Sequence, residues 1–150
     1  MLHCQIQTAA ENAPMKKNTF HKDIQGYSKK ILLRCEKVQG KYHKKTLHTL
    51  RVNFKTLRAL LRWQHAETEK LVTPFRSVYH VAGDIRNAGL LLDFIVAHKM
   101  QLPSCKRWIT NERKKYRQAW RKIYDKKEIE KCVHQIKKSA IEYRQNDLFF

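Results

Sequence analysis

Residues 37–66 constrain the fold more than any other stretch of this 150-residue chain. They contain no Asp or Glu. Leu47, Leu50, Phe54, Leu57 and Leu61 recur there at steps of three and four, the spacing of the apolar stripe on a packed helix. Lys44, His48, Arg51, Lys55, Arg58 and Arg62 repeat at the same steps. At about 100° per residue those six side chains stay within about 40° of one line, which runs about 27 Å. The apolar stripe lies about 100° to one side, and Val52, Ala59 and Trp63 lie roughly 80° to the other. The opposite face carries Thr46, Thr49, Asn53 and Thr56. A solvated face normally mixes signs, because like charges four residues apart cost a helix about 0.2–0.5 kcal/mol. A row of one sign between two apolar flanks suits the floor of a groove. Cations crowded there need an anion.

The rest of the chain continues at helical spacing. Only 4 Gly and 3 Pro leave few turns, which favours long helices over a sheet. Residues 1–18 are polar and aperiodic and form a disordered lead, with Met15 an alternative start to Met1. Phe20, Ile24, Tyr27, Ile31, Cys35 and Val38 then share one helical face that ends at Gly40. The basic helix follows from about Lys41 to His65. A third helix opens at Pro74 with Thr73 as its cap; it buries Phe75, Val78, Ala82, Ile85, Leu92 and Val96 and ends near His98. Within it, Gly83 and Gly89 permit another helix to approach closely. Ser104 caps a fourth helix with Trp108, Tyr116, Trp120 and Ile123 inward and a dense basic outer side. After a break at Asp125, a fifth helix carries Ile129, Cys132, Val133, Ile136, Ala140 and Tyr143. The sequence therefore predicts one all-α domain over 19–145, an antiparallel bundle of four to five helices. Residues 146–150 form a frayed tail, although Leu148, Phe149 and Phe150 could dock on the bundle.

Charge narrows the function. Lys and Arg number 32 against 13 Asp and Glu, a formal net charge of +19. Such a surplus calls for a polyanionic partner. Cys4, Cys35, Cys105 and Cys132 show no Cys-x-x-Cys spacing and read as small buried groups in a reducing compartment. No apolar run is long enough to cross a membrane, and the N-terminus lacks a signal-peptide pattern, so a soluble cytoplasmic protein is expected. The eight histidines make no metal-ligand pattern, and no metal or cofactor is implied. There is no Gly-rich phosphate loop, nucleophile elbow or carboxylate pair with a base. Glu67 and Glu69 fall at a helix junction, where a solvated role suffices. No catalytic residue is expected, and the protein reads as a non-enzyme.

The second helix also carries a resemblance. His48-Thr-Leu-Arg51-Val52-Asn-Phe-Lys55-Thr56-Leu-Arg58 resembles the signature of the CHAD family, all-helical polyphosphate-binding modules with a His, then Arg-Val, then a basic run. Gly83-Asp-Ile-Arg86-Asn87-Ala-Gly-Leu-Leu-Leu resembles the Gly, Arg-Asp and apolar run that follow in that family. Lys55 stands for an Arg, Thr56 for a basic residue and Asn87 for an acidic one. The resemblance covers roughly residues 20–145. It implies the first half of a two-bundle architecture with basic residues lining the groove between bundles; an isologous homodimer would supply the second half. It also implies inorganic polyphosphate as ligand.

The expected site is Lys44, His48, Arg51, Lys55, Arg58 and Arg62, with Arg86, Arg117 and Arg121 as an opposite wall. Arg forks donate paired hydrogen bonds to phosphate oxygens, and Lys supplies a mobile charge. For His48 both packing and anion contact stay open; a phosphohistidine is disfavoured, since no carboxylate is placed to orient the ring. His43 and His65 extend the basic surface. The alternative is an RNA- or DNA-binding protein using non-specific phosphate contacts; the spacing of Trp63, Trp108, Trp120 and Tyr116 marks them as core rather than as stacking platforms. A third reading is an adaptor whose basic face docks an acidic protein. A membrane partner is disfavoured for want of a detached amphipathic helix.

Overall fold

The computed structural model describes residues 17–64 and 70–146. Five helices run α1 (Lys17–Gly40), α2 (Lys44–Gln64), α3 (Thr73–Ala97), α4 (Pro103–Ile123) and α5 (Lys126–Asn146). No strand occurs among the described residues, and none of their helices is long and apolar enough to cross a membrane. The expected all-α bundle is the fold. The lead, Cys4, His65, Glu67, Glu69 and the last four residues lie outside the described residues, as does the side chain of Tyr143. At the edges, α1 begins at Lys17, inside the expected lead, and α5 runs to Asn146.

Helix α1 sits between α2 and α5, α2 between α1 and α3, and α3 between α2 and α4. One core joins Ile24, Ile31, Cys35 and Val38 of α1 to Leu47, Leu50, Leu57 and Leu61 of α2, Phe75 and Ile85 of α3, Trp120 of α4 and Ile136 of α5. Buried Ser28 is tolerated in α1 because its Oγ donates to the Ile24 carbonyl at 2.7 Å. A second, small core of Ala88, Ile95 and Ile109 joins α3 to α4. Burial pushes the Cys35 and Cys132 thiols from 9.0 up to about 12, with a smaller push from Glu36 and Glu128 respectively, so both stay protonated. Cys105 is only half-buried.

The helix ends differ from the sequence reading. Thr73 is the first residue of α3, with Val72 at the cap position and no side-chain cap. Ser104 likewise falls inside α4, behind Leu102 and Pro103. Proline at the start of each helix removes one of the N–H groups that would otherwise need a partner, and its fixed φ suits the first turn. Helix α3 closes with Met100 N donating to the Ile95 carbonyl and Lys99 N to that of Val96, both at 3.0 Å, with Lys99 at φ 52°. That is a Schellman end made without glycine. Asp125 caps α5, its Oδ1 accepting from Lys127 N at 2.8 Å and Glu128 N at 3.3 Å.

Three side chains expected inside are outside: Trp63 is 69% exposed, Trp108 60% and Val96 64%. Helix α2 begins at Lys44, whose ammonium pairs with Asp93, so the last turn of α3 outruns it and nothing covers Val96. Ile95 and Ile109 take the inward places.

Candidate anion-binding site

The basic row of α2 lies against α3, and packing splits it into two files. Lys44, Arg51 and Arg58, seven residues apart, are half-buried; His48, Lys55 and Arg62 are exposed. Seven residues are nearly two turns, so the inner file advances about 10 Å per member. The expected groove has one wall, not two. Val52, Ala59 and Trp63 on the other flank face solvent, while Asn53, placed on the outer face by the sequence, is buried. Helix α1 takes that side of α2 as well as α3 taking the other, which widens the buried arc beyond the leucine stripe.

Arg51 is the fixed member of the inner file. Its Nη1 donates to the Tyr79 carbonyl at 3.0 Å and its Nη2 to the Tyr79 hydroxyl at 3.2 Å, with Cζ 4.1 Å from the centre of the Tyr79 ring. Tyr79 is itself held by Phe54, ring centres 4.8 Å apart. The guanidinium fits because Gly83 has no side chain: a Cβ there would lie on the guanidinium, 2.8 Å from Cζ. At Gly89 a Cβ would meet the stem of Lys44 at 3.6 Å and Cζ of Arg113 at 3.8 Å. The two glycines do admit a close neighbour, as expected, but each makes room for a basic side chain.

Tyr79, Gly83, Arg86, Leu90 and Asp93 fall on one line of α3, antiparallel to the row. With Arg51 at Gly83 and Lys44 at Asp93, this register sets half-buried Arg86 at the level of His48. His48 is exposed on the row, so packing does not account for it. Arg117 lies 5.0 Å from the ring centre of Tyr42, just before α2, and so joins the Lys44 end. Arg121 is exposed on α4, and no described contact ties it to α2 or α3. The residue the sequence reading missed is Arg113, one turn before Arg117; a like-charge pair four apart on α4 was the available signal.

At the far end, Lys55, Arg58, Ala59, Arg62 and Trp63 line a shallow depression. No group of three or more His, Cys, Asp or Glu among the described residues could hold a metal ion. Compared with known proteins, the chain matches no family model, no curated protein and no solved structure.

Gly83→Ala isolates the role of the clamp. Alanine gains about 0.5–1 kcal/mol over glycine inside a helix. Displacing Arg51 forfeits two hydrogen bonds of about 0.5–1.5 kcal/mol each. The loss exceeds the gain by about 1 kcal/mol, kept small because the displaced group is the flexible end of an arginine. Circular dichroism should change little and the melting temperature fall by roughly 3 °C, while affinity for a polyanion falls about five- to tenfold as Arg51 loses its fixed position. An affinity equal to wild type would show that the seat of Arg51 has no part in binding.

Proposed function

We propose that the protein is a non-catalytic binding module for inorganic polyphosphate, held along the basic row of α2 and the facing line of α3. The observation that carries the reading is Arg51, a guanidinium fixed on Tyr79 midway along a row of one sign. A cation fixed before the ligand arrives loses less rotamer entropy on binding. Lys44 and Arg58 flank it in the inner file, Arg86 faces the row, and Arg117 extends it, so successive phosphates would find successive donors. The resemblance to CHAD modules at His48–Arg58 and Gly83–Leu92 supports the same ligand.

A second reading, single-stranded RNA or DNA, is favoured by one observation. Trp63 is 69% exposed beside Lys55, Arg58 and Arg62, and an indole next to cations suits a base and its phosphate. Against it, Tyr79 beside the row is already covered by Arg51 and Phe54, and Trp63 packs edge-on against Phe20 at 5.0 Å. One platform stacks one base, whereas polyphosphate needs none. The test is a competition at matched phosphate concentration between long-chain polyphosphate and single-stranded RNA, which we expect polyphosphate to win.

We extend the proposal to a homodimer. Leu90, Leu91, Phe94, Leu102 and Trp108 are exposed around the α3–α4 end, a surface that a second copy would cover.

A further inference from the structure

Three cations from two helices converge beside the start of α2. The stem of Lys44 and Cζ of Arg113 both reach the space over Gly89, and Arg117 stands one turn along α4 from Arg113, against Tyr42. The Nε atoms of Arg113 and Arg117 are buried and make no hydrogen bond among the described residues. A buried N–H without a partner costs about 1–3 kcal/mol, and here two occur side by side on groups that are charged as well. Burial, and then the neighbouring charge of Arg117, lowers the pKa of Arg113. The one carboxylate paired here is Asp93, with Lys44; Glu112, next in sequence to Arg113, is engaged by Lys115 at 2.6 Å. Three cations against one carboxylate leave a surplus of two positive charges. No acidic residue of α2 itself stands in its first turn, so Asp93 of α3 faces both the Lys44 charge and the positive end of the α2 dipole.

We infer that Lys44, Arg113 and Arg117 form a seat for one dianionic phosphate group at the Lys44 end of the polymer-tracking row. The ligand chemistry is a terminal phosphate: the end group of a polyphosphate chain or a short inorganic phosphate such as pyrophosphate. An internal phosphate of a chain carries one charge and two bridging oxygens; an end group carries more charge and three free oxygens, a better match to a surplus of two and to forked donors. Gly89 lets the Lys44 stem and the Arg113 guanidinium pack close to α3 and so to each other. The inference rests on the polyphosphate reading for the chain-end ligand, but the seat itself would take pyrophosphate whether or not the row binds a polymer.

The test uses the full chain and calorimetric titration with pyrophosphate, with long-chain polyphosphate, and with the same polymer blocked at its ends as amidates. Arg113→Gln, Arg117→Gln should lose pyrophosphate affinity by about tenfold or more, the loss expected for two charge-assisted donors. Arg51→Ala, Arg58→Ala should keep it within about twofold, since neither residue belongs to the seat. Arg113→Lys, which keeps the charge and removes the buried Nε, should lose about three- to fivefold and serves if the double Gln variant does not fold. Wild type that ignores pyrophosphate, or a Gln variant that binds it equally well, overturns the seat. A polymer that fails to bind while pyrophosphate binds overturns the row and leaves the seat standing. Weaker binding of the end-blocked polymer assigns the seat to chain ends; equal binding with pyrophosphate still bound assigns it to short phosphates.

Discussion

Raising salt from about 50 to 200 mM should weaken polyphosphate binding by two to three orders of magnitude. The slope of log affinity against log salt is about 0.7 per neutralised phosphate for a single-stranded polyanion, and the row offers roughly six cations. Six contacts give a slope near −4, hence a loss of about 300-fold over a fourfold change in salt. Few effects on this protein should be larger. The number is diagnostic because it counts contacts: a slope near −1 would mean that one or two cations meet the ligand and that the row is a solvated face. Replacing Lys55, exposed and in the outer file, should reduce the slope by about one contact while changing little else. The measurement is a titration series at four salt concentrations.

The second large effect concerns stability. Trp120 is fully buried and stacks on Tyr124, ring centres 5.9 Å apart and 11° from parallel. It is the fully buried residue that α4 contributes to the main core, with Tyr116 and Ile123 packed partly buried beside it. Trp120→Ala should cost about 3–5 kcal/mol. For a chain of this length that lowers the melting temperature by roughly 10 °C or more. Trp120→Phe should cost far less, because it keeps most of the buried ring and removes an indole N–H that has no hydrogen-bond partner. A thermal shift of only a few degrees for the alanine variant would mean that α4 docks without the main core.

How far the sequence reached depends on the element. Helix α2 was legible because two rows repeat at the same spacing, and both its apolar stripe and its cations stand where the periodicity puts them. The inward faces of α1 and α5 were legible for the same reason: each packs through one continuous stripe. Helix α4 was misread in its first half. Tyr116 packs against both cores as expected, but the first half of α4 meets α3 through Ile109, which leaves Trp108 exposed. Trp63 lies in the last turn of α2 and meets α1 edge-on at Phe20, which leaves most of the indole exposed. Gly83 and Gly89 were seen as points of close approach, but spacing within one helix cannot say what approaches. The partner, Arg51 in one case and Lys44 with Arg113 in the other, comes from the antiparallel register of α2 and α3 and the way α4 folds back on them. Arg121 was paired with Arg117 from sequence, yet four residues along α4 carry it clear of the Lys44 end.

The central claim is that the inner file of α2, with Arg51 fixed at its middle, is a polyphosphate site. Its most direct test is a competition titration at about 150 mM salt, where charges more than roughly 8 Å apart are already screened. Long-chain polyphosphate competes against single-stranded RNA at matched phosphate concentration, on wild type and on Arg51→Ala, Arg58→Ala. Polyphosphate should win on the wild type, and the double variant should lose about 100-fold, the sum of two charge-assisted contacts. RNA displacing polyphosphate, or a double variant that binds like wild type, would contradict the account and move the function to the outer charges and Trp63.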